Sequence, residues 1–245
     1  MPSAIDLIVT TSWDDGTVTD LKLAGLLEKY GIKGTFYIPK SYTDNLPPKS
    51  PPYYLLSKKD IVALDKKFEI GAHSVSQPYL AKIPLSEAKR EIEDSKIYLE
   101  DILGHDIPLF CYPRGNYNKE IVKLVKDAGF IAARACDLGG FNLPRDPYRW
   151  HITLLATNGS PLMALKIWWG FRLWRVSALL DWESRAKLLF DLALEKGGVF
   201  HMYGHSAELE AKNEWDKLER VFRYFSRREG VKYMTNGDIF ESFLK

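Results

Sequence analysis

Short apolar runs alternate with amphipathic stretches through most of the chain. A short apolar run suits a buried strand, whereas apolar residues spaced three or four apart suit one face of a helix. Their alternation is typical of parallel strands joined by crossover helices. Strands are predicted at Ile5–Thr11, Gly34–Ile38, Phe68–Ala72, Leu109–Tyr112, Ile131–Arg134, His151–Leu155, Val199–Tyr203 and Val231–Met234. Helices are predicted near Thr19–Tyr30, Ser57–Lys66, Leu85–Leu103, Asn118–Ala128, Trp182–Lys196, Trp215–Ser226 and Asn236–Leu244.

This order of elements is found in closed (β/α) barrels and in open doubly wound sheets. In both folds the side chains that do chemistry lie at the carboxyl ends of the strands. Five polar residues fall just past the ends of different predicted strands, and we expect them to lie at one edge of the sheet. They are Asp14, Asp15, His73, Arg114 and His205.

The size and charge of the chain exclude several classes of protein. Its 245 residues suit one α/β domain spanning residues 1–245, and 34 basic against 32 acidic residues do not indicate a nucleic-acid surface. The start of the sequence lacks the features of a signal peptide, which predicts a cytoplasmic protein. The most apolar stretch, residues 161–180, is interrupted by Lys166, Arg172 and Arg175, so no transmembrane segment is expected.

The tetrad Trp13-Asp14-Asp15-Gly16 follows the first predicted strand. Asp-Gly is a common turn dipeptide, so a plain surface turn is one interpretation. Two adjacent carboxylates at the end of a buried strand are, however, costly to desolvate and repel each other. A divalent cation would stabilise them, with one aspartate as ligand and its neighbour free to accept a proton from water.

The segments Ser12–Gly16 (SWDDG) and His73–Gln77 (HSVSQ) resemble the motifs commonly written T-F-D-D-G and H-S/T-x-x-H in the polysaccharide deacetylase family, carbohydrate esterase family four. The resemblance implies a distorted (β/α) barrel of seven or eight units over nearly the whole chain. It also implies a divalent metal and removal of acetyl groups from N-acetylated sugars. Carried over by position, Asp14 would be the general base, and Asp15 and His73 would be metal ligands.

Gln77 stands where the second motif of the family has its last histidine. If residues 73–77 form one helical turn, the side chain of Gln77 points at the same ion as that of His73. A glutamine carbonyl suits zinc less well than imidazole does. We therefore expect a ligand set of Asp15, His73 and Gln77 for a divalent ion, most simply Zn²⁺, that is weakly held or missing.

The segment Cys111–Gly115 (CYPRG) resembles the third family motif, R-x-P-Y-G, with Cys111 at the arginine position and Arg114 at the tyrosine position. In the family the backbone amide at that tyrosine helps to hold the oxyanion, a role that Arg114 can fill. The arginine that orients the base would be Arg134, whose alternative interpretation is a surface charge. We further assign Trp13, Tyr112 and Tyr117 to substrate binding.

Two histidines compete for the role of general acid, which protonates the departing amine. His205 lies past the end of a predicted strand, whereas His201 lies inside it, and we favour His205 because chemistry belongs to the loops beyond strand ends. The segment His205–Leu209 (HSAEL) also resembles an H-S-x-E-I/L segment of a subgroup of sugar deacetylases.

The stretch Ile167–Arg175 (IWWGFRLWR) mixes aromatic and arginine residues and has no counterpart in the resemblance. Such a composition suits stacking on sugars or contact with a membrane surface. Packing of an irregular insertion into the core is the interpretation we favour, because Gly170 interrupts any long amphipathic helix.

The prediction is a cytoplasmic, metal-dependent carbon–nitrogen hydrolase that removes acetyl groups from an N-acetylated sugar or glycoconjugate. One alternative is a related amidohydrolase acting on a small cyclic amide or imide. Another, suggested by Gln77 and Cys111, is a degenerate member of the family that binds glycan without turning it over.

Overall fold

The structure is a computed structural model that describes residues 7–41 and 52–243. Nine strands lie in these residues: β1 (Leu7–Asp14), β2 (Gly34–Ile38), β3 (Glu69–Ala72), β4 (Leu109–Cys111), β5 (Ala132–Leu138), β6 (Trp150–Ile152), β7 (Leu154–Leu155), β8 (Gly198–Gly204) and β9 (Val231–Tyr233). The helices of the same residues are α1 (Asp20–Tyr30), α2 (Lys58–Asp65), α3 (Leu85–Leu103), α4 (Lys119–Asp127), α5 (Pro161–Gly170), α6 (Val176–Leu180), α7 (Trp182–Lys196), α8 (Ser206–Ala211), α9 (Trp215–Phe225) and α10 (Asn236–Phe243). Short 3₁₀ turns occupy Leu80–Lys82, Pro113–Gly115 and Pro147–Arg149.

The strands form a nearly closed parallel barrel, which confirms the predicted fold class. Neighbouring strands follow the order β6-β5-β4-β3-β2-β1-β8-β7, and β9 pairs with the first half of β1. The two ends of this order, β6 and β7, are consecutive in the chain with only Thr153 between them. The Thr153 N–H donates to the carbonyl of His201 at 2.8 Å, so the chain itself closes the barrel.

Three strands differ from their predicted bounds in ways that affect the site. The predicted strand His151–Leu155 is two strands, because the chain pairs with β5 before Thr153 and with β8 after it. The first strand continues through Asp14, since the buried Trp13 still pairs with β2 and β8. The fifth strand runs on to Leu138, which places Arg134 inside a strand.

All seven predicted helices are present, and the end residues Ile5 and Leu244 of two predicted elements lie outside the described residues. Helices α5, α6 and α8 were not predicted. Helix α5 has apolar residues on more than one side, and α8 is too short to show a period. No helix in the described part of the chain combines the length and the apolar composition needed to cross a bilayer.

Candidate active site

A cavity of about 510 Å³ opens at the carboxyl ends of the barrel strands. Its lining includes all five polar residues that the sequence places just past strand ends, together with Gln77. The full lining is Asp14, Asp15, Tyr53, His73, Gln77, Pro113, Arg114, Cys136, Tyr203 and His205. The expectation that these side chains meet at one edge of the sheet therefore agrees with the geometry.

Asp14 and Arg134 form a buried ion pair at the bottom of this site. The terminal Nη2 of Arg134 donates to both carboxylate oxygens of Asp14. Burial alone would raise the pKa of Asp14, but the charge of Arg134 and its hydrogen bonds outweigh burial and hold that pKa below its usual range. Asp14 is therefore ionised at neutral pH and able to accept a proton.

A left-handed turn directs Asp15 into the cavity. Asp15 has φ +81° and Gly16 has φ +57°, backbone conformations that β-branched residues avoid. A Cβ atom on Gly16 would lie 2.9 Å from the Cγ2 of Ile38, so glycine is required at this position for steric reasons as well. The turn separates the two adjacent aspartates, leaving Asp14 buried against Arg134 while Asp15 is half-buried at the cavity wall.

His73 presents an unprotonated nitrogen to the two aspartates. Its Nδ1 lies 3.0 Å from the carbonyl oxygen of Cys111, which can only accept, so Nδ1 carries the proton. Burial lowers the pKa of His73 despite the nearby carboxylates, and the neutral ring then exposes a lone pair at Nε2. This atom lies 3.8 Å from Oδ1 of Asp15 and 3.9 Å from Oδ2 of Asp14.

The loop from His73 to Gln77 is not a helical turn, which corrects one premise of the sequence analysis. Ser74 and Gln77 have φ of +61° and +57°, and the Gln77 N–H donates to the Ser74 hydroxyl at 2.9 Å. Gln77 nevertheless reaches the predicted site, because its Nε2 donates to Oδ1 of Asp15 at 2.7 Å. It is thus the amide nitrogen of Gln77, rather than the oxygen expected of a metal ligand, that faces Asp15.

The donor atoms fit a divalent cation between Asp15 and His73. Two acceptors, a carboxylate oxygen and an imidazole lone pair, face each other across 3.8 Å at the wall of the cavity. Asp14, His73 and Cys111 also bring donor atoms within 4.8 Å of one another. Burial raises the pKa of the Cys111 thiol well above its usual range, however, and Arg134 neutralises Asp14, so that trio is the poorer site.

The turn Pro113–Gly115 holds Arg114 at the rim of the cavity. Arg114 adopts φ +57°, and its guanidinium lies 4.9 Å from the centre of the Tyr79 ring. Its Nε also donates to the Gln77 carbonyl at 3.5 Å, so the side chain is engaged on the rim. A Cβ on Gly115 would lie 3.0 Å from the Cβ of Cys136, which fixes how closely this turn approaches β5.

The two candidate acids occupy different environments. His201 is buried inside β8, where Nε2 lies 2.8 Å from the Ser12 hydroxyl and the ring packs 4.4 Å from that of Trp150. Burial, followed by the charge of Arg134, lowers the pKa of His201 well below its usual range, so it is a neutral structural residue. His205 lies past the strand and lines the cavity.

The ring of His205 lies close to the side chains of Tyr203 and Glu208. Its centre lies 5.4 Å from the centre of the Tyr203 ring. Its buried Nδ1 makes no hydrogen bond to another described residue and faces Oε1 of Glu208 across 3.8 Å. Glu208 is the acidic residue of the HSAEL segment, so the spacing of that segment places a carboxylate beside the imidazole.

The three residues assigned to substrate binding lie outside the cavity lining. Trp13 is fully buried and packs against the ring of Phe222. Tyr112 is buried, and Tyr117 stacks on it with ring centres 4.7 Å apart. These aromatic side chains support the barrel wall, and the structure does not bring them to the opening.

Cys136, Tyr203 and Tyr53 line the cavity but were not singled out in the sequence. Two of them carried a usable signal. Cys136 lies two residues after Arg134 on β5, and side chains two apart on a strand share a face. Tyr203 is the last residue of a predicted strand, at the carboxyl end where the side chains that do chemistry lie. Tyr53 precedes α2 and belongs to no periodic element, so no pattern could have indicated it.

The sequence matches the model of the polysaccharide deacetylase family over residues 5–133, just over half of the chain. Two proteins of Bacillus subtilis (strain 168) are similar to it. The peptidoglycan-N-acetylmuramic acid deacetylase PdaC is 27% identical over 121 residues, 49% of this chain and 24% of PdaC. YxkH is 23% identical over 145 residues, 58% of this chain and 50% of YxkH. The chain thus spans half or less of the length of these relatives.

Solved structures share the fold over nearly the whole chain. A Mycobacterium smegmatis protein assigned to the polysaccharide deacetylases aligns with a TM-score of 0.66, 15% identity and coverage of 99% of this chain and 91% of that one. A family 4 acetyl xylan esterase from Clostridium thermocellum, solved with a cobalt ion, aligns with a TM-score of 0.60, 16% identity and coverage of 96% and 91%. At such identities the likeness concerns the fold alone.

Proposed function

The chain belongs to the polysaccharide deacetylase family, and from that membership we propose that it is a metal-dependent hydrolase removing acetyl groups from an N-acetylated sugar or glycoconjugate. One observation carries the proposal. An ionised, arginine-paired aspartate lies 3.9 Å from the unprotonated nitrogen of a neutral histidine, at the wall of a cavity large enough for a sugar unit.

Asp15 and His73 would hold the cation. Asp15 offers a carboxylate oxygen and His73 its Nε2, oriented by the hydrogen bond from Nδ1 to the Cys111 carbonyl. When bound, a divalent cation would polarise the acetyl carbonyl and lower the pKa of an attacking water. Gln77 would either turn its amide oxygen toward the ion or continue to hold Asp15 through its nitrogen.

Asp14 would act as the general base. The Arg134 ion pair keeps its carboxylate ionised and fixed in one orientation, so that it can accept a proton from water when the amide is attacked. Its burial against Arg134 excludes bulk water from the side of the carboxylate that faces the barrel. Arg134 thus serves as a positioning residue for the base.

Arg114 and His205, which both line the cavity, would complete the reaction. The backbone N–H of Arg114, held at the rim by the turn Pro113–Gly115, would donate to the oxyanion of the tetrahedral intermediate. His205 would then protonate the amine nitrogen as the carbon–nitrogen bond breaks, with Glu208 stabilising the imidazolium. Acetate and an amino sugar would be released.

Release of acetate from N-acetylated oligosaccharides and from peptidoglycan fragments tests this proposal. We expect activity with added Zn²⁺ or Co²⁺, loss of activity with a chelator, and recovery on adding the ion back. Ring opening of a cyclic imide without any acetate release would instead indicate the related amidohydrolase. Glycan binding without turnover at any metal concentration would indicate a non-catalytic member of the family.

A further inference from the structure

We propose that the segment formed by α5 and α6, which we call the α5–α6 hairpin (residues 161–180), binds the surface of a membrane rich in anionic lipid. The hairpin exposes an unusual amount of apolar surface. Six of the thirteen exposed large apolar side chains among the described residues lie within it. They are Leu162, Leu165, Trp169, Trp174, Val176 and Leu180, each between 46% and 69% exposed.

These side chains are arranged on a fixed scaffold rather than on a loose loop. Leu162, Leu165 and Trp169 follow helical spacing along one side of α5, while Ala164 and Ile167 on the other side are buried in the core. A helix with apolar residues on both sides is expected where its outer side is also covered, by protein or by the apolar part of a membrane.

The connection to α7 holds the hairpin in place. The buried Arg185 donates through Nε to the Ala178 carbonyl at 2.8 Å and through Nη2 to the Leu179 carbonyl at 3.2 Å. The indole of Trp168 donates to the Arg175 carbonyl at 3.1 Å, which ties α5 to α6. The exposed side chains are therefore presented by a segment whose inner side is anchored.

The charge of the hairpin indicates that the surface it binds is anionic. Residues 161–180 contain Lys166, Arg172 and Arg175 and no acidic residue, although the whole chain has nearly equal numbers of both signs. All three cations are exposed, and none forms an ion pair with another described residue. Tryptophan beside basic and aliphatic residues is the composition of segments that lie in the interface of anionic bilayers.

A second copy of the chain fits this surface less well. In a two-fold symmetric contact the same patch faces itself, which would bring three cations against three cations. Asp181, which directly follows Leu180, caps the start of α7 and pairs with Lys217. Asp191 and Glu195 of α7 line a groove with Arg172, Trp174 and Arg175 on the flank of α7. These acids belong to α7 and its start, and the hairpin itself carries none.

The hairpin also begins beside the cavity. Met163, on the first turn of α5, packs against the cluster of Ile152, Leu155 and Tyr203, and Tyr203 lines the cavity. Met163 therefore joins the start of the hairpin to the wall of the cavity. Vesicle binding requires no substrate, so it succeeds or fails independently of the proposed hydrolysis.

Co-sedimentation with lipid vesicles tests the proposal on the full chain. We expect binding to phosphatidylcholine vesicles containing phosphatidylglycerol, little binding to phosphatidylcholine alone, and weaker binding at high salt. Replacing Trp169 and Trp174 by serine should lower partitioning about tenfold or more. Lys166→Gln and Arg175→Gln should each lower it about fivefold, and only on anionic vesicles.

Ile97→Ser is the matched control, because Ile97 is 53% exposed on α3, away from the hairpin. This variant should bind vesicles as the wild type does. Absence of binding, equal binding to both vesicle types, or unchanged binding by the double tryptophan variant would overturn the proposal. A dimer seen by light scattering would also overturn it. The same holds if the protein does not bind vesicles but binds an uncharged polysaccharide, and the tryptophan substitutions abolish that binding.

Discussion

Each end of the barrel shields one carboxylate from solvent, and these two carboxylates, of Asp14 and Glu69, have opposite kinds of partner. Asp14, at the carboxyl end, is paired with the charge of Arg134, which brings its pKa below the usual range. Glu69, at the amino end, accepts hydrogen bonds from uncharged groups alone among the described residues, and burial raises its pKa. A carboxylate in a barrel therefore indicates chemistry only when its partners keep it ionised beside a cavity.

The partners of Glu69 leave it no capacity for reaction. The Thr35 and Thr235 hydroxyls and the Gly237 N–H donate to its two oxygens at 2.5 to 3.0 Å. A Cβ on Gly237 would lie 2.1 Å from Oε1 of Glu69, so the start of α10 can approach the carboxylate only because this residue is glycine. Glu69 thus joins β3 to β2 and to the start of α10.

The substitution Asp14→Asn should have the largest effect on activity. Asparagine keeps the shape but cannot act as a base, so deacetylation should fall about a hundredfold to ten-thousandfold. Because Arg134 would be left buried without a counter-charge, unfolding free energy should also fall by about 3–5 kcal/mol. Acetate release at matched folded fraction, with urea unfolding in parallel, measures both.

Glu69→Gln is the control for Asp14→Asn. It should lower the unfolding free energy by about 1–3 kcal/mol, since an amide cannot accept all the hydrogen bonds that the carboxylate accepts. Its activity at matched folded fraction should remain near that of the wild type. An equal loss of activity in both variants would mean that the two ends of the barrel do not differ in function.

Substitutions of the two histidines in β8 and in the loop after it should have the next largest effects, one on activity and the other on stability. His205→Ala should lower deacetylation about a hundredfold or more with little loss of stability, because the side chain lies at the cavity wall. His201→Ala should instead cost about 2–4 kcal/mol of unfolding free energy, since it removes a buried ring and its contact with Ser12. If His201→Ala were the inactive variant at matched folded fraction, the assignment of the acid would be reversed.

Periodicity and strand ends were enough to predict a parallel α/β fold and the meeting of Asp14, Asp15, His73 and His205, whereas the choice of a closed barrel over an open sheet came from the resemblance to the family. That succeeded because the position of a residue at the carboxyl end of a parallel strand is fixed by the sheet. Pairing of Arg134 with Asp14 was also anticipated, although Arg134 lies within β5 rather than at its end.

Features set by backbone conformation or by tertiary contacts could not be predicted in the same way. The left-handed conformations of Ser74 and Gln77 carry no sequence signal comparable to glycine, so a helical turn was assumed there. The exposure of Trp169 and Trp174 depends on which side of the hairpin meets α7. Core packing, favoured for the stretch Ile167–Arg175, holds for Ile167 and Leu173 but not for these two tryptophans.

Gln77→His should have a moderate effect, confined to the carboxyl end. Histidine tolerates the left-handed backbone at position 77, where the native side chain already contacts Asp15. Imidazole is the better zinc ligand, so the affinity for Zn²⁺ should rise about tenfold, or ~1.4 kcal/mol. Calorimetric titration at one pH measures the change, because ligand protonation is coupled to metal binding.

Ser76→His controls for the mere presence of an added histidine. The Ser76 side chain and backbone N–H contact Glu91 rather than the aspartates, so this variant should bind zinc as the wild type does. Equal affinity of folded Gln77→His and wild type would show that position 77 does not face the ion.

The smallest expected effect is a pH dependence that comes from the amino end. Because the folded chain raises the pKa of Glu69, there is a pH window, from the ordinary glutamate range up to that raised value, in which only the folded chain keeps the proton. The stability that Glu69 contributes is therefore complete below this window and is lost as the pH rises through it.

Glu69→Gln has no such proton, so the advantage in unfolding free energy of the wild type over this variant should shrink as the pH is raised. Urea unfolding of both proteins across the acidic range measures the difference and cancels the titration of all other groups. An advantage that grew with pH would mean that the donors from Thr35, Thr235 and Gly237 outweigh the loss of hydration, and that both ends of the barrel hold their carboxylates in the charged form.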